Sequence, residues 1–434
     1  MKRRTSPHYA WVVIWMACVV VFAALGLARF GYSIVLPSMQ HGLQMNNTQA
    51  GVLATSDLIA YLLLSVIGGA LASRFGPRRV ITAGLVCAGA GMVLTGLARN
   101  VMEAIVARVI VGAGSGASNV PVMGMLAAWT TKQKRGLAAG LAVSGSSLGL
   151  MCLGPSVPPL IRAVGPNGWR VVWISFGAIA GVIALLAGLL LRDKPADIGL
   201  VPLGTDANPE GRSRTLPGGT PASASVNGTS DRAWQAIMRI RGAWSLGLVY
   251  TAFGFSYIIY MTFFVKRLVA DAGYTHSEAG RLFMSMGVCS VVCGVLWGSV
   301  SDRLGRACAL MLIYLVHTVS FVLYGMSIHP VGLTVSAILF GLSAWSIPAV
   351  MAAACGDMAG PRLAPAMLGF ITLFFGVGQA TGPSVAGVLT DRTGSLSAAL
   401  LLAAAAALAG AVGSFCILCV QRRLPAVPSA PAAP

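Results

Sequence analysis

Two ionisable residues interrupt apolar runs near the start of the chain: Arg29 within 10–37 and Asp57 within 47–72. In hydrocarbon a charge costs about 2.5–3.5 kcal/mol on insertion scales, so each needs a partner or a function. If the two runs are antiparallel helices rising about 1.5 Å per residue, Arg29 lies roughly 12 Å and Asp57 roughly 15 Å below the turn joining them. They can then face each other. One reading is a permanent ion pair. The other is a guanidinium that binds an anion beside a carboxylate that takes up and releases a proton. Arg108, Asn119, His317, Ser346 and Gln379 also fall in apolar runs, as do the rings of Tyr32, Tyr257 and Tyr260. For the tyrosines the alternative is aromatic packing, and for Gln379 it is glue between helices.

Enzyme chemistry finds no footing. There is no His/Asp/Glu set at metal-ligand spacing, no carboxylate pair within one run and no phosphate loop. No enzymatic activity, metal or cofactor is therefore expected. Eight of the nine cysteines fall in apolar runs, and Cys416-x-x-Cys419 reads as free packing thiols rather than a redox pair.

The elements that must hold these groups follow from composition. Of 434 residues, 56% are hydrophobic and 10% charged, with a mean hydropathy of +0.79. A soluble domain carries roughly 25% charged residues. A helical span takes about 20 apolar residues plus a loop, so the length accommodates roughly a dozen. Barrel strands alternate over about 10 residues, and these runs are solidly apolar. The expected fold is an all-α polytopic membrane protein of twelve transmembrane helices. The remaining spans are read at 79–97, 102–128, 136–162, 169–191, 243–266, 277–300, 307–327, 331–356, 365–389 and 396–420. Residues 192–242 are rich in Pro, Gly, Ser and Thr and read as a cytoplasmic linker, whose end from Arg232 to Arg241 could lie along the membrane surface. Residues 421–434 form a tail. The domains expected are thus 1–191 and 243–420, six helices each.

Net charge is +18. Membrane topology accounts for it better than nucleic acid does. Counted with the N-terminus inside, 21 Lys and Arg fall in cytoplasmic segments and seven outside. Both termini are expected in the cytoplasm, in a bacterial inner membrane. Met1-Lys2-Arg3-Arg4 before an apolar run imitates a secretory signal, but the run far exceeds the roughly 7–15 residues of a signal core, so it reads as a retained first span.

An internal repeat organises the spans. Thr48-Gln-Ala-Gly51 answers Ser277-Glu-Ala-Gly280, and Gly69-Ala-Leu-Ala-Ser-Arg-Phe-Gly76 answers Gly298-Ser-Val-Ser-Asp-Arg-Leu-Gly305 without a gap. Arg29-Phe-Gly-Tyr-Ser33 matches Ala252-Phe-Gly-Phe-Ser256, Asn119-Val-Pro121 matches Ser346-Ile-Pro348, and Gly154-Pro155 matches Gly382-Pro383. Parallel six-helix repeats place a binding site at their shared interface, near the midplane.

At these residues the chain resembles the major facilitator superfamily. The signature Gly-x-x-x-Asp-Arg-x-Gly-Arg-Arg/Lys appears as Gly69-x-x-x-Ser73-Arg74-x-Gly76-Pro77-Arg78-Arg79, and again as Gly298-x-x-x-Asp302-Arg303-x-Gly305-Arg306. Arg108-x-x-x-Gly112-x-Gly114 is similar to the fourth-span pattern of the family. His8-Tyr9-Ala-Trp-Val-Val13, Lys194-Pro-Ala-Asp-Ile-Gly-Leu200 and Gly378-Gln379-x-x-Gly382-Pro383 followed by Asp391-Arg-Thr-Gly-Ser395 look like the monocarboxylate and oxalate/formate carriers. The span-8 Asp-x-x-x-Arg pair of animal monocarboxylate carriers would fall at Ser290 and Gly294, and is missing.

The resemblance implies a secondary transporter of small organic anions, coupled to protons and working by alternating access as a monomer, with lipid and no nucleic acid as partner. A proton-driven drug exporter and a non-transporting membrane sensor are the rival readings. Spans 1, 4, 7 and 10 line the family's cavity, so Arg29, Tyr32, Asn119, Tyr257, Tyr260 and Ser346, with Gln379, are the expected substrate residues and Asp57 the proton-coupling one. Arg108 is expected to bond helix-end carbonyls or Glu103. It is grouped with Gly69, Arg74, Gly76, Arg78, Gly298, Asp302, Arg303, Gly305 and Arg306 as gating residues. His317 falls on a peripheral helix.

Overall fold

The computed structural model describes residues 8–205 and 235–423. The central part of the expected linker and most of the tail lie outside them. Eleven stretches are long and apolar enough to cross a membrane. The one over Gln133–Leu190 is two helices divided at Gly165–Asn167, which makes twelve. In chain order they are α1 (Ala10–Leu43), α2 (Asn47–Phe75), α3 (Pro77–Leu97), α4 (Val101–Trp129), α5 (Lys132–Val164) and α6 (Gly168–Leu190). Then come α7 (Arg241–Lys266), α8 (His276–Leu304), α9 (Arg306–Met326), α10 (Pro330–Gly360), α11 (Ala366–Thr393) and α12 (Leu396–Arg423). With an even number of crossings, both ends of the described chain lie on one side, called here the terminal side. Large apolar residues such as Val66, Leu185 and Val295 face outward and need lipid to cover them.

Local chemistry sets the helix starts, and the repeat carries it. Asn46 and Gln49 form a capping box at the start of α2, and Thr275 and Glu278 form one at the matching start of α8. The turns after α2 and α8 match as well: Gly76 has φ +89° and Gly305 φ +88°. That backbone region is nearly restricted to glycine. Nothing lies within 4 Å of a Cβ added at Gly305 or at the helical Gly298. Gly305→Ala is therefore expected to destabilise by about 1–3 kcal/mol through backbone strain alone. Gly298→Ala should be neutral or stabilising by up to about 1 kcal/mol. Melting temperatures in detergent, moving in opposite directions, would check both.

Two helices are irregular. In α1 a π-helical stretch spans Phe22–Phe30, and in α10 the helix unwinds over 342–345 before restarting at Ser346. Such departures re-aim side chains and free backbone carbonyls, and they collect at functional sites. The first brings Arg29 toward the interior.

Helices α1–α6 and α7–α12 form two bundles that meet through α2 against α11, α5 against α8, and the end of α1 against α7. The approach is close on the far side. A Cβ on Gly280 would come within 2.9 Å of Pro158, and one on Gly287 within 2.7 Å of Leu150. Toward the terminal side Gly69 faces Val120 of its own bundle, and Gly140, Gly294 and Gly298 face open space. The bundles thus approach closely on the far side.

Candidate functional site

The site is built where α1, α2 and α4 cross. Arg108 of α4, 1% exposed, places Nη2 3.3 Å from Asp57 Oδ1 of α2. Its Nη1 donates to the Ala28 carbonyl at 2.9 Å, a group of the π-helical stretch. The guanidinium also lies 5.2 Å from the Tyr32 ring and 4.9 Å from the Trp173 ring. This corrects the expected pairing. Asp57 is paired with Arg108 rather than with Arg29, because α4 packs directly on α2 at Gly112, where an added Cβ would come within 3.0 Å of the Asp57 Cα. Glu103, the other partner considered for Arg108, instead caps its own helix through Arg99 N and Asn100.

Pairing Asp57 elsewhere leaves Arg29 without an ion-paired carboxylate among the described residues. Its guanidinium carbon sits 4.2 Å from the centre of the Tyr61 ring. Its buried Nη2 has no hydrogen-bond partner among the described residues. Around it Asn119 Nδ2 donates to the Tyr61 hydroxyl at 2.8 Å, the Tyr257 hydroxyl reaches the guanidinium, and Gln379 Nε2 donates to that hydroxyl. Four expected substrate residues from α1, α4, α7 and α11 thus come together: Arg29, Asn119, Tyr257 and Gln379.

The other three bond elsewhere, although Tyr32 lines one small cavity together with Arg29. The Tyr32 hydroxyl donates to the Ala50 carbonyl at 2.8 Å. Tyr260 bonds Ser336 at 3.0 Å and is packed among Phe264, Phe321, Tyr324 and Phe340, inside the second bundle. Ser346 is buried at the restart of α10, with its hydroxyl 3.5 Å from the Cys293 carbonyl. His317 lies between Phe253, Phe321 and Phe340. Ser290 bonds Ser147 of the other bundle at 2.7 Å.

The signature segments differ between the bundles. Arg306 bonds Asp302 at 2.6 Å and Asp357 at 2.9 Å. In the first bundle Ser73 and Pro77 occupy the positions of Asp302 and Arg306, so both partners of that pair are replaced together. There the Arg78 amide donates to Asp193 at 2.7 Å and its side chain to the Gly188 carbonyl. Arg74 lies over the Phe75 ring at 5.2 Å, and Arg303 is exposed.

The sequence reading passed over Tyr61 and gave Asp391 no role beyond its place in a family motif. Tyr61 lies one turn beyond Asp57 on the same face of α2, and that i, i+4 spacing was the available signal. Asp391, at the end of α11, caps α2 from the opposite bundle. It accepts from Asn47 N at 3.1 Å, Thr48 N at 2.7 Å, Asn47 Nδ2 at 2.7 Å and Thr48 Oγ1 at 2.6 Å, while Lys266 donates to Asn47 Oδ1. An anion at a helix N-terminus is favourable, and here it ties the bundles on the far side. Asp391→Ala is expected to loosen this far-side contact and raise its exposure by roughly tenfold, the equivalent of one such hydrogen bond. Labelling of a cysteine placed in the far-side interface would report it.

The sequence profile of the Major Facilitator Superfamily matches residues 18–347 and 246–434. A probable sulfoacetate transporter, SauU, of Cupriavidus necator is 25% identical over 447 residues, covering 96% of this chain and 95% of that protein. Monocarboxylate transporter 11 of Mus musculus is 25% identical, covering 96% and 88%, and a hexuronate transporter of Bacillus subtilis is 24% identical, covering 87% of each. Among solved structures, a bacterial homolog of the human lysosomal transporter Spinster, inward-facing and unoccupied, superposes with a TM-score of 0.70 at 16% identity, covering 95% and 96%. The nucleoside transporter NupG gives 0.72 at 12% identity, covering 93% and 99%. These two likenesses concern the fold.

Proposed function

This chain belongs to the Major Facilitator Superfamily, and we propose that within it the protein carries a small organic anion across a bacterial inner membrane, coupled to protons, by alternating access. The observation that carries the reading is Arg29. It is a cation between the bundles whose one acidic neighbour is already engaged by Arg108, and its Nη2 is unpartnered among the described residues. A planar guanidinium offered in this way matches a carboxylate or sulfonate. Tyr257 and Gln379 of the second bundle lie within reach of the same anion, so a ligand there would touch both halves. The relatives named for sulfoacetate, monocarboxylates and hexuronate support the substrate class.

Under this reading both termini are cytoplasmic, the conformation is inward-facing, and a monomer suffices. The far-side bonds of Asp391 form the outer gate, and the signature segments form the inner one. The test is uptake into proteoliposomes of labelled sulfoacetate, lactate, glucuronate and a set of two- to six-carbon carboxylates, with and without a pH gradient. Saturable uptake of at least one anion, raised by an acid exterior, is expected. If no anion enters while a lipophilic cation does, the substrate class is wrong.

A further inference from the structure

Between α1, α2, α4 and α7 lies a small internal cavity of about 20 Å³, bounded by Arg29, Ser33, Ala54, Asp57, Arg108 and Thr262 among others. One water needs roughly 10–15 Å³ measured in this way. Four of the residues that line it each carry a buried polar atom with no hydrogen-bond partner among the described residues: Arg29 Nη2, Arg108 Nε, Asp57 Oδ1 and Ser33 Oγ. The 3.3 Å contact of Asp57 Oδ1 with Arg108 is an ion pair without hydrogen-bond geometry. Leaving a buried polar group unsatisfied is costly, and four at one small cavity point to a shared ligand. Its chemistry is narrow. Two guanidiniums against one carboxylate exclude a metal cation, and Asp57 Oδ1 at the same wall opposes a halide. A ligand that accepts from two N–H groups and donates to two oxygens fits all four atoms. Water does so.

We propose that this cavity is the binding site of a single ordered water that joins Arg29 to Asp57, so that the anion site and the proton site communicate through it. The inference deepens the proposed function and rests on it for its transport consequence. With Asp57 ionised, the water accepts from Arg29 Nη2 and Arg108 Nε and donates to Asp57 Oδ1 and Ser33 Oγ. When a proton from solvent reaches Asp57 Oδ1, that oxygen becomes a donor. The water then faces three donors with two lone pairs, and one donor must be released. Arg108 is fixed by the Ala28 carbonyl and two rings, so the released group is Arg29 Nη2. It becomes free for the anion. Proton and anion thereby favour each other's binding, as reciprocal linkage requires. The other ionisable groups facing this cluster are Tyr32 of α1 toward Asp57, with Tyr61 of α2 and Tyr257 of α7 toward Arg29. Each is a phenol and brings no carboxylate or imidazole to the cluster.

The test needs no transported substrate. Infrared difference spectra of the reconstituted full chain are recorded on acidification, in ordinary water and in water enriched in oxygen-18, with Asp57→Asn identifying the carboxyl band. The wild type is expected to show the Asp57 band together with a water O–H band that shifts with the isotope. Ala54→Val, which fills the cavity with two methyl groups, should keep the carboxyl band and lose the water band. Ser33→Ala, which cannot clash, should shift the water band by removing one partner, and it serves if Ala54→Val does not fold. Absence of the water band in the wild type, its persistence unchanged in either variant, or a band that follows chloride concentration instead would overturn the proposal. Anion uptake is a separate readout. Its failure with the water band present would fault the substrate reading alone, and its success with the band absent would fault the water alone.

Discussion

Replacing Arg29 with alanine should lower anion uptake at least about a hundredfold while leaving the protein folded. The size follows from the bonds lost. A hydrogen bond to a charged group is worth about 1.5–3 kcal/mol, a guanidinium can make two to one carboxylate, and about 1.4 kcal/mol is a factor of ten. Folding should survive because Arg29 contributes little to the empty protein. Its Nη2 is unpartnered among the described residues, and what holds it is the Tyr257 hydroxyl and the face of the Tyr61 ring, the latter worth about 0.5–2 kcal/mol. Arg29→Lys keeps the charge but not the planar fork, so it should recover only a small part of the rate. Uptake measured beside gel filtration and thermal melting would separate the two effects. Wild-type uptake by Arg29→Ala would remove the anion site from this position.

The contrast between Arg29 and Arg108 shows how far the sequence could be read. Both are lone bases in apolar runs, and hydropathy treats them alike. The spans and their repeat were legible because apolar length and the recurring segments ending at Gly76 and Gly305 are local signals. So was the conclusion that Arg29 and Asp57 lie at similar depth. The choice of partner was not legible. It depends on α4 pressing its glycines against α2, and on the π-helical stretch of α1 turning the Ala28 carbonyl toward Arg108. Both are tertiary facts with a spacing of tens of residues. The tyrosines divide for the same reason. Tyr257 and Tyr260 share a helix three residues apart, yet one meets Gln379 near Arg29 and the other is enclosed in the second bundle. Position along a helix was readable, while the face presented to the cavity was not.

The buried pair of Asp57 and Arg108 should respond to substitution as a working acid and its holder, not as a static brace. Removing one partner of a buried ion pair ordinarily costs about 3–5 kcal/mol, since the other charge is left uncompensated. Arg108→Leu should show that loss at neutral pH, because Asp57 is 4% exposed and its nearest remaining cation, Arg29, is not bonded to it. The loss should shrink as pH falls, since a proton on Asp57 then removes the uncompensated charge. Asp57→Asn should cost less. Arg108 retains the Ala28 carbonyl and the faces of Tyr32 and Trp173, and under the proposed proton coupling the site would tolerate a neutral side chain there. The asparagine amide in that variant stands for the protonated acid. The variant should therefore exchange anion for anion at a rate within a fewfold of wild type, yet fail to accumulate it when a pH gradient is applied. A static pair predicts the opposite pattern, with misfolding or equal loss of both modes. Counterflow and gradient-driven uptake in the same vesicles decide between them, and a pH dependence unchanged by Asp57→Asn would rule out Asp57 as the coupling acid.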